Sequence, residues 1–185
     1  NPRLVVKAEG IHYWDHKGGK IIDGSSGLFC CAAGHGRPEI AEAVYKQLQE
    51  ADYMPHFQMG HPSSFELARK ICNLTPDGID HVFFVNSGSE AVDPAIRLAM
   101  AATSRQDVVA MAEAYHGWTY ASDAVSTSIA DNPHALETRP DWVHTVDAAN
   151  SYRGRHRGAD AARYAPEAVA RLRALAALKR SGAGG

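Results

Sequence analysis

The chain predicts an α/β fold with a mostly parallel sheet, and three observations carry that expectation. Apolar runs near 82–85, 107–111 and 142–146 are separated by helical patterns, a spacing of roughly ten to fifteen residues that suits βα units better than hairpins. The first two runs stop abruptly in small or Gly-containing turns, Asn86-Ser87-Gly88-Ser89 and Glu113-Ala114-Tyr115-His116-Gly117. The 185 residues, 45% hydrophobic and 22% charged, suffice for one good core.

The elements follow in order. Ile11–Asp15, then His16-Lys17-Gly18-Gly19, then Lys20–Asp23 is strand, turn, strand. Residues 23–36 are small and turn-rich. Pro38 opens a helix whose predicted buried stripe is Ile40, Val44 and Leu48. Tyr53 to His61 is aromatic and irregular. Ser63-Ser64-Phe65-Glu66 has the spacing of a capping box and predicts the start of a helix carrying Leu67, Ala68, Ile71 and Cys72. A strand at 82–85 feeds a helix over about 89–103, where Pro94 predicts a kink or a restart. Two further strands, Asp107–Met111 and Trp142–Val146, precede a last helix within Ala159–Arg180.

Composition excludes several classes. A formal net charge of −2 gives no electrostatic attraction to nucleic acid or an anionic membrane. The basic cluster Arg153-Gly154-Arg155-His156-Arg157 reads as a solvated loop, because it lacks the interleaved aromatics of an RNA-binding segment. No apolar run approaches the roughly 20 residues of a membrane span, and no signal peptide is evident. Cys30, Cys31 and Cys72 make a poor disulfide framework and include no CxxC, so a reducing cytoplasm fits and no metal site is expected.

The turn at 86–91 has the chemistry of an anion site. A strand that feeds a helix leaves first-turn N–H groups without carbonyl partners, at the positive end of the helix dipole. A P-loop is excluded, since no lysine lies between Lys70 and Lys179. Spaced Rossmann glycines and a Gly-x-Ser-x-Gly elbow are also missing. The bland alternative is a helix capped by Ser87 and Glu90 and nothing more. Tyr115-His116-Gly117, at the end of the next predicted strand, adds a flat aromatic ring on the side of a parallel sheet where ligands collect. A phosphate beside a stacked heterocycle describes pyridoxal phosphate, although a tyrosine in such a place can also simply be a packed surface residue.

With Gly27–His35, Pro38-Glu39-Ile40, Gly60-His61-Pro62, Phe83–Ala91 and Tyr115-His116-Gly117 in this order, the chain resembles the N-terminal portion of a class III, ω-amino acid type aminotransferase. These are fold type I pyridoxal-phosphate enzymes. The match runs over about residues 1–125, and more loosely to about 178. It implies an incomplete fold type I α/β structure: residues 1–60 as the N-terminal segment of the small domain, and 61–185 as part of the large cofactor-binding domain. By the same resemblance, Ser87, Gly88 and Ser89 form the cup for the phosphate of pyridoxal 5'-phosphate. Tyr115 stacks on the pyridine ring, His116 and Gly117 shape its surroundings, and Leu28 and Phe29 help build the substrate pocket. The family implies a homodimer, an amino donor and a keto acid acceptor such as pyruvate.

Two departures qualify this expectation. The Schiff-base lysine and the aspartate that holds the pyridine nitrogen are not in this chain, and Lys179 has neither the spacing nor the context. The chain is therefore expected to be an N-terminal fragment, inactive alone, because that lysine is both covalent link and proton shuttle. Pro94, inside the helix after the phosphate turn, is the second. Two other functions stay open: a phospho-lyase acting on phosphorylated amino alcohols, which Tyr152-Arg153-Gly154 resembles, and a non-catalytic domain that binds a phosphorylated ligand or a partner.

Overall fold

The computed structural model describes residues 4–55, 57–128 and 134–182. The chain divides into two compact units, Asn1–Val82 and Phe83–Gly185.

In the first unit β1 (Val5–Glu9), β2 (His12–Asp15) and β3 (Lys20–Ile22) form an antiparallel meander. The expected β2–β3 hairpin is present, and β1 joins it through residues whose pattern gave no strand signal. Asp15 shapes the hairpin turn. Its Oδ1 accepts the N–H groups of Lys17 at 2.9 Å and Gly19 at 2.7 Å, while Gly18 takes φ +83° without a side-chain penalty.

After the meander the backbone makes an unusual turn. Ser26, Gly27, Leu28 and Phe29 all have positive φ, at +52°, +59°, +55° and +70°. This is one turn of left-handed helix, closed by Phe29 N–H to the Ser25 carbonyl at 2.9 Å and Cys31 N–H to the Ser26 carbonyl at 2.8 Å. Left-handed helix costs L-residues about 1–2 kcal/mol each, and three of the four here are not glycine.

Helix α1 (Pro38–Glu50) starts where the proline predicts, with Pro38 in its first turn. Its apolar stripe is not buried, which corrects the expectation. Ile40, Val44 and Leu48 are each more than half exposed, because nothing among the described residues of this unit covers that face. Helix α2 (Pro62–Cys72) is capped two residues earlier than Ser63-Glu66 suggested. His61 is the N-cap, and its Nδ1 accepts the Ser63 N–H at 3.2 Å, since Pro62 occupies the first helical position. Residues 53–55 and 57–61 are irregular as expected, with Tyr53, Phe57 and Met59 exposed; the expectation at residue 56 lies outside the described residues.

The second unit contains α3 (Gly88–Thr103), β4 (Val108–Met111), α4 (Tyr120–Val125), α5 (Ala135–Thr138), β5 (Val143–Val146), a 3₁₀ turn (Gly158–Arg163) and α6 (Tyr164–Gly182). Strands β4 and β5 pair in parallel, Val108 opposite Val143 through Met111 opposite Val146. The expected strand at 82–85 is not formed. The run has no ladder partner among the described residues, and Phe83 is left 80% exposed. Helix α3 runs as one element through Pro94, so the expected restart is absent. Nothing in the structure explains this proline. The small core gathers Ala110 of β4, Ala124 and Val125 of α4 and Val143 of β5, with Val92 and Ile96 of α3 packed against them. This packing sets the N-terminus of α3 beside the loop that leaves β4.

The basic cluster 153–157 is a loop with its three arginines exposed, as expected, but His156 anchors it. His156 is buried edge-on against Tyr164, with its Nε2 2.8 Å from Glu167, and Arg155 bridges Asp147 and Glu167. Arg155 and His156 thus fasten this loop to Glu167 of α6. Gly154 makes that approach possible, since a Cβ there would stand 2.0 Å from the Tyr164 hydroxyl.

Candidate active site

Ser87 caps α3 from extended backbone, φ −152° and ψ 164°, and its Oγ accepts the Glu90 N–H at 3.1 Å. Glu90 Oε2 reaches back to accept the Asn86 N–H at 2.7 Å. The predicted cap is therefore present, with the carboxylate reaching one residue beyond the usual position; such caps are worth about 1 kcal/mol. The N–H groups of Gly88 and Ser89 lie in the first helical turn, where no preceding carbonyl can satisfy them. Over Gly88 the space is open: a Cβ there would meet no atom within 4 Å.

The loop from β4 is pinned to this helix end. The Trp118 N–H donates to Ser89 Oγ at 3.0 Å, and Thr119 Oγ1 donates to the Ser89 carbonyl at 3.1 Å. Gly117 is the point of closest approach. It is buried at φ +135°, and a Cβ there would lie 2.4 Å from Ser89 Oγ and 2.8 Å from Ser89 Cα. On its other side the loop is tied down by hydroxyls at the end of α4. The His116 N–H donates to Ser126 Oγ at 2.9 Å and the Ala114 N–H to Thr127 Oγ1 at 2.9 Å, while Thr127 Oγ1 donates to the Met111 carbonyl at 2.7 Å. Tyr115 is 49% exposed and meets Trp118 edge-on at 6.3 Å, so it is not a core tyrosine.

Ser87–Ser89 and Tyr115–Gly117 are thus brought together in one unit. Leu28 and Phe29 belong to the other unit, on the left-handed turn, 77% and 89% exposed.

The sequence reading missed Asp93. One turn below Ser89 on α3, its Oδ1 accepts Thr119 Oγ1 at 2.7 Å and the Ser122 N–H at 2.8 Å. Ser122 is fully buried, and its Oγ in turn accepts the Thr119 N–H at 2.9 Å. Burial pushes the Asp93 carboxyl up, but hydrogen bonds from Thr119, Ser122 and Ala121 outweigh it and leave the group below its ordinary value. The signal available was the i, i+4 spacing of Ser89 and Asp93, which puts both on one helix face.

A helix N-terminus with open space above it, joined to a loop that carries an exposed aromatic ring, is the kind of site an α/β phosphate-cofactor enzyme presents. The family model for class III aminotransferases matches residues 1–181, and the chain belongs to that family. It is 40% identical over 161 residues to the omega-amino acid–pyruvate aminotransferase of Pseudomonas putida, covering 82% of this chain and 36% of that protein. To the beta-alanine–pyruvate aminotransferase of Pseudomonas aeruginosa it is 47% identical over 123 residues, 63% of this chain and 28% of that one. The chain therefore spans about a third of the length of these relatives. Among solved structures, the taurine:2-oxoglutarate aminotransferase of Bifidobacterium kashiwanohense, in complex with PLP and glutamate, superposes with a TM-score of 0.83 at 28% identity. That alignment covers 96% of this chain and 40% of that one, so the fold is a part of the fold type I α/β architecture.

Proposed function

We propose that this chain is the cofactor-cup portion of a pyridoxal-phosphate-dependent aminotransferase that moves an amino group from an amine or ω-amino acid to a keto acid such as pyruvate. The observation that carries the proposal is the bond of Trp118 N–H to Ser89 Oγ, with Gly117 pressed on Ser89. It couples the helix end suited to a phosphate to the loop carrying the ring of Tyr115. Both named relatives are pyruvate aminotransferases, which favours transamination over phosphate elimination.

The residues present fit the cofactor. The open space over Gly88 admits a phosphate to the first-turn N–H groups, where the helix dipole favours a dianion. The hydroxyls of Ser87 and Ser89 accept protein N–H groups, and each retains a proton to donate to a phosphate oxygen. Tyr115 supplies a flat face for the pyridine ring, and Gly117 lets that loop close onto the helix. When bound, pyridoxal phosphate supplies an electron sink for charge developing at the amino-bearing carbon. This chain's share of the work is to grip and orient the cofactor. It holds no lysine in the position the family uses for covalent attachment, so it does not turn over by itself.

Leu28 and Phe29 are assigned to the amino-donor pocket, and a homodimer accounts for exposed Tyr53 and Phe57. Among the described residues no helix is long and apolar enough to cross a membrane, and the free thiols of Cys30, Cys31 and Cys72 suit a cytoplasmic setting.

The test compares pyridoxal phosphate with pyridoxal in the full-length protein. Ser87→Gly with Ser89→Ala should weaken the phosphorylated cofactor by about tenfold or more beyond the loss seen for pyridoxal, which feels only the broken Trp118 bond to Ser89 Oγ. Tyr115→Ala should weaken both and shift the absorbance of the bound cofactor. Equal losses for the two cofactors in the serine variant would place the phosphate elsewhere.

A further inference from the structure

The left-handed turn at 26–29 presents two large apolar side chains to solvent from a strained backbone. Sterics oppose the conformation and the hydrophobic effect opposes the exposure, so surrounding groups must hold it. The holding group is Asp23, whose side chain is 4% exposed. Its Oδ1 accepts the N–H and Oγ of Ser25, both at 3.2 Å, and its Oδ2 accepts the Gly27 N–H at 2.8 Å. Nε2 of His35, 12% exposed, lies 2.7 Å from the same Oδ2. His35 is itself fixed, because its backbone exchanges two hydrogen bonds with Gly10 at 2.8 and 2.9 Å and its ring tilts against Tyr13 at 4.7 Å. The carboxylate is thus the link between the sheet and the turn.

We infer that Asp23 is a positioning residue for substrate selection: it locks residues 26–29 in one conformation, so that Leu28 and Phe29 form a preformed apolar platform for the carbon chain of the amino donor. The inference rests on the assignment of those two residues to the donor pocket. With Asp23 in place the platform needs no ordering when a donor arrives, and donors that do not fit its shape are rejected. With Asp23 removed the turn relaxes toward right-handed or extended backbone, and both side chains lose their fixed aim.

The experiment uses the full-length protein with bound pyridoxal phosphate. Hydrogen exchange by mass spectrometry is followed in peptides covering 24–32, and kcat/KM is measured for a compact and a bulky amine. Asp23→Asn leaves one acceptor oxygen and sets an NH2 against the donors of the turn. It should speed exchange in 24–32 by about tenfold while peptides from α1 and α3 keep their rates. The preference between the two amines should shrink by about tenfold, chiefly through KM. Adding Ser26→Gly, which removes a left-handed penalty without touching either platform side chain, should recover part of both effects. Unchanged exchange in 24–32, or an equal increase throughout the first unit, would overturn the inference. Faster exchange in 24–32 with intact amine preference would also overturn it. Phe29→Ala separates the two assignments. If it alters the preference while Asp23→Asn does not, the pocket stands and the role of Asp23 falls; if neither alters it, the pocket assignment fails first.

Discussion

Gly117→Ala should damage the molecule at the contact that makes the site. The added Cβ would stand 2.4 Å from Ser89 Oγ, 2.8 Å from Ser122 Oγ and 2.8 Å from Ser89 Cα. The first two atoms could rotate away; the third is backbone of α3 and cannot. Overpacking of this kind costs about 1–3 kcal/mol, and holding an alanine at φ +135° adds roughly 1–3 kcal/mol. Moving Ser89 also breaks the Trp118 bond, worth about 1 kcal/mol. Partial relaxation shares these costs, so about 3 kcal/mol is a fair minimum for the loop closed on the helix. If the cofactor needs that closed state, its affinity falls by roughly 150-fold. The partner experiment is Gly88→Ala, whose Cβ meets no protein atom within 4 Å and whose backbone needs no glycine. Urea unfolding of the full-length protein should show Gly88→Ala as stable as the parent and Gly117→Ala clearly weaker. Cofactor titration should show both binding poorly, one because the loop is displaced and the other because the phosphate space is filled. Parental stability and affinity in Gly117→Ala would refute the closed contact. Parental affinity in Gly88→Ala would refute the position of the phosphate.

Two further outcomes follow from the same geometry. Asp93→Ala takes the carboxylate acceptor from the Ser122 N–H and leaves Thr119 Oγ1 the longer bond to the Ser89 carbonyl, a loss of about 1–3 kcal/mol measurable by denaturant unfolding. Because the folded Asp93 carboxyl titrates below its ordinary value, its stabilisation is complete above that value and lost as pH falls through the folded one. The acid limb of stability against pH should therefore be shallower in the variant; an unchanged limb would remove Asp93 from the network. Gly154→Ala would put a Cβ 2.0 Å from the Tyr164 hydroxyl and 2.5 Å from the Asn150 carbonyl oxygen, costing about 1–3 kcal/mol. Faster hydrogen exchange in 150–157 and at the start of α6 would register it, and unaltered exchange would contradict the packing described.

How far the site was legible depended on the range of the interaction. The Ser87–Glu90 cap was visible because both partners lie within one helical turn, and the hairpin at 16–19 was visible because its glycines and Asp15 are neighbours. Asp93 was not visible. Its importance comes from Thr119 and Ser122, 26 and 29 residues away, and an aspartate in a helix looks like ordinary solvated charge until those donors arrive. The buried stripe of α1 was expected from periodicity and is exposed here, since amphipathicity names a face but supplies no partner for it. The strand at 82–85 failed for a related reason: β character in a sequence becomes a strand only where a neighbour completes the ladder.

The sequence by itself determined the local chemistry: a capped helix start over Gly88, an aromatic loop at Tyr115, the parallel strands at 107–111 and 142–146, and the family these imply. Tertiary structure alone decided that Gly117 rests on Ser89, that Asp93 ties the two turns together, and that Asp23 holds Leu28 and Phe29 on a left-handed turn. Capping and turn formation are settled among adjacent residues, whose spacing is written in the chain. A hydrogen bond between distant residues exists only after packing has brought donor and acceptor together, and no local pattern records which donor that will be.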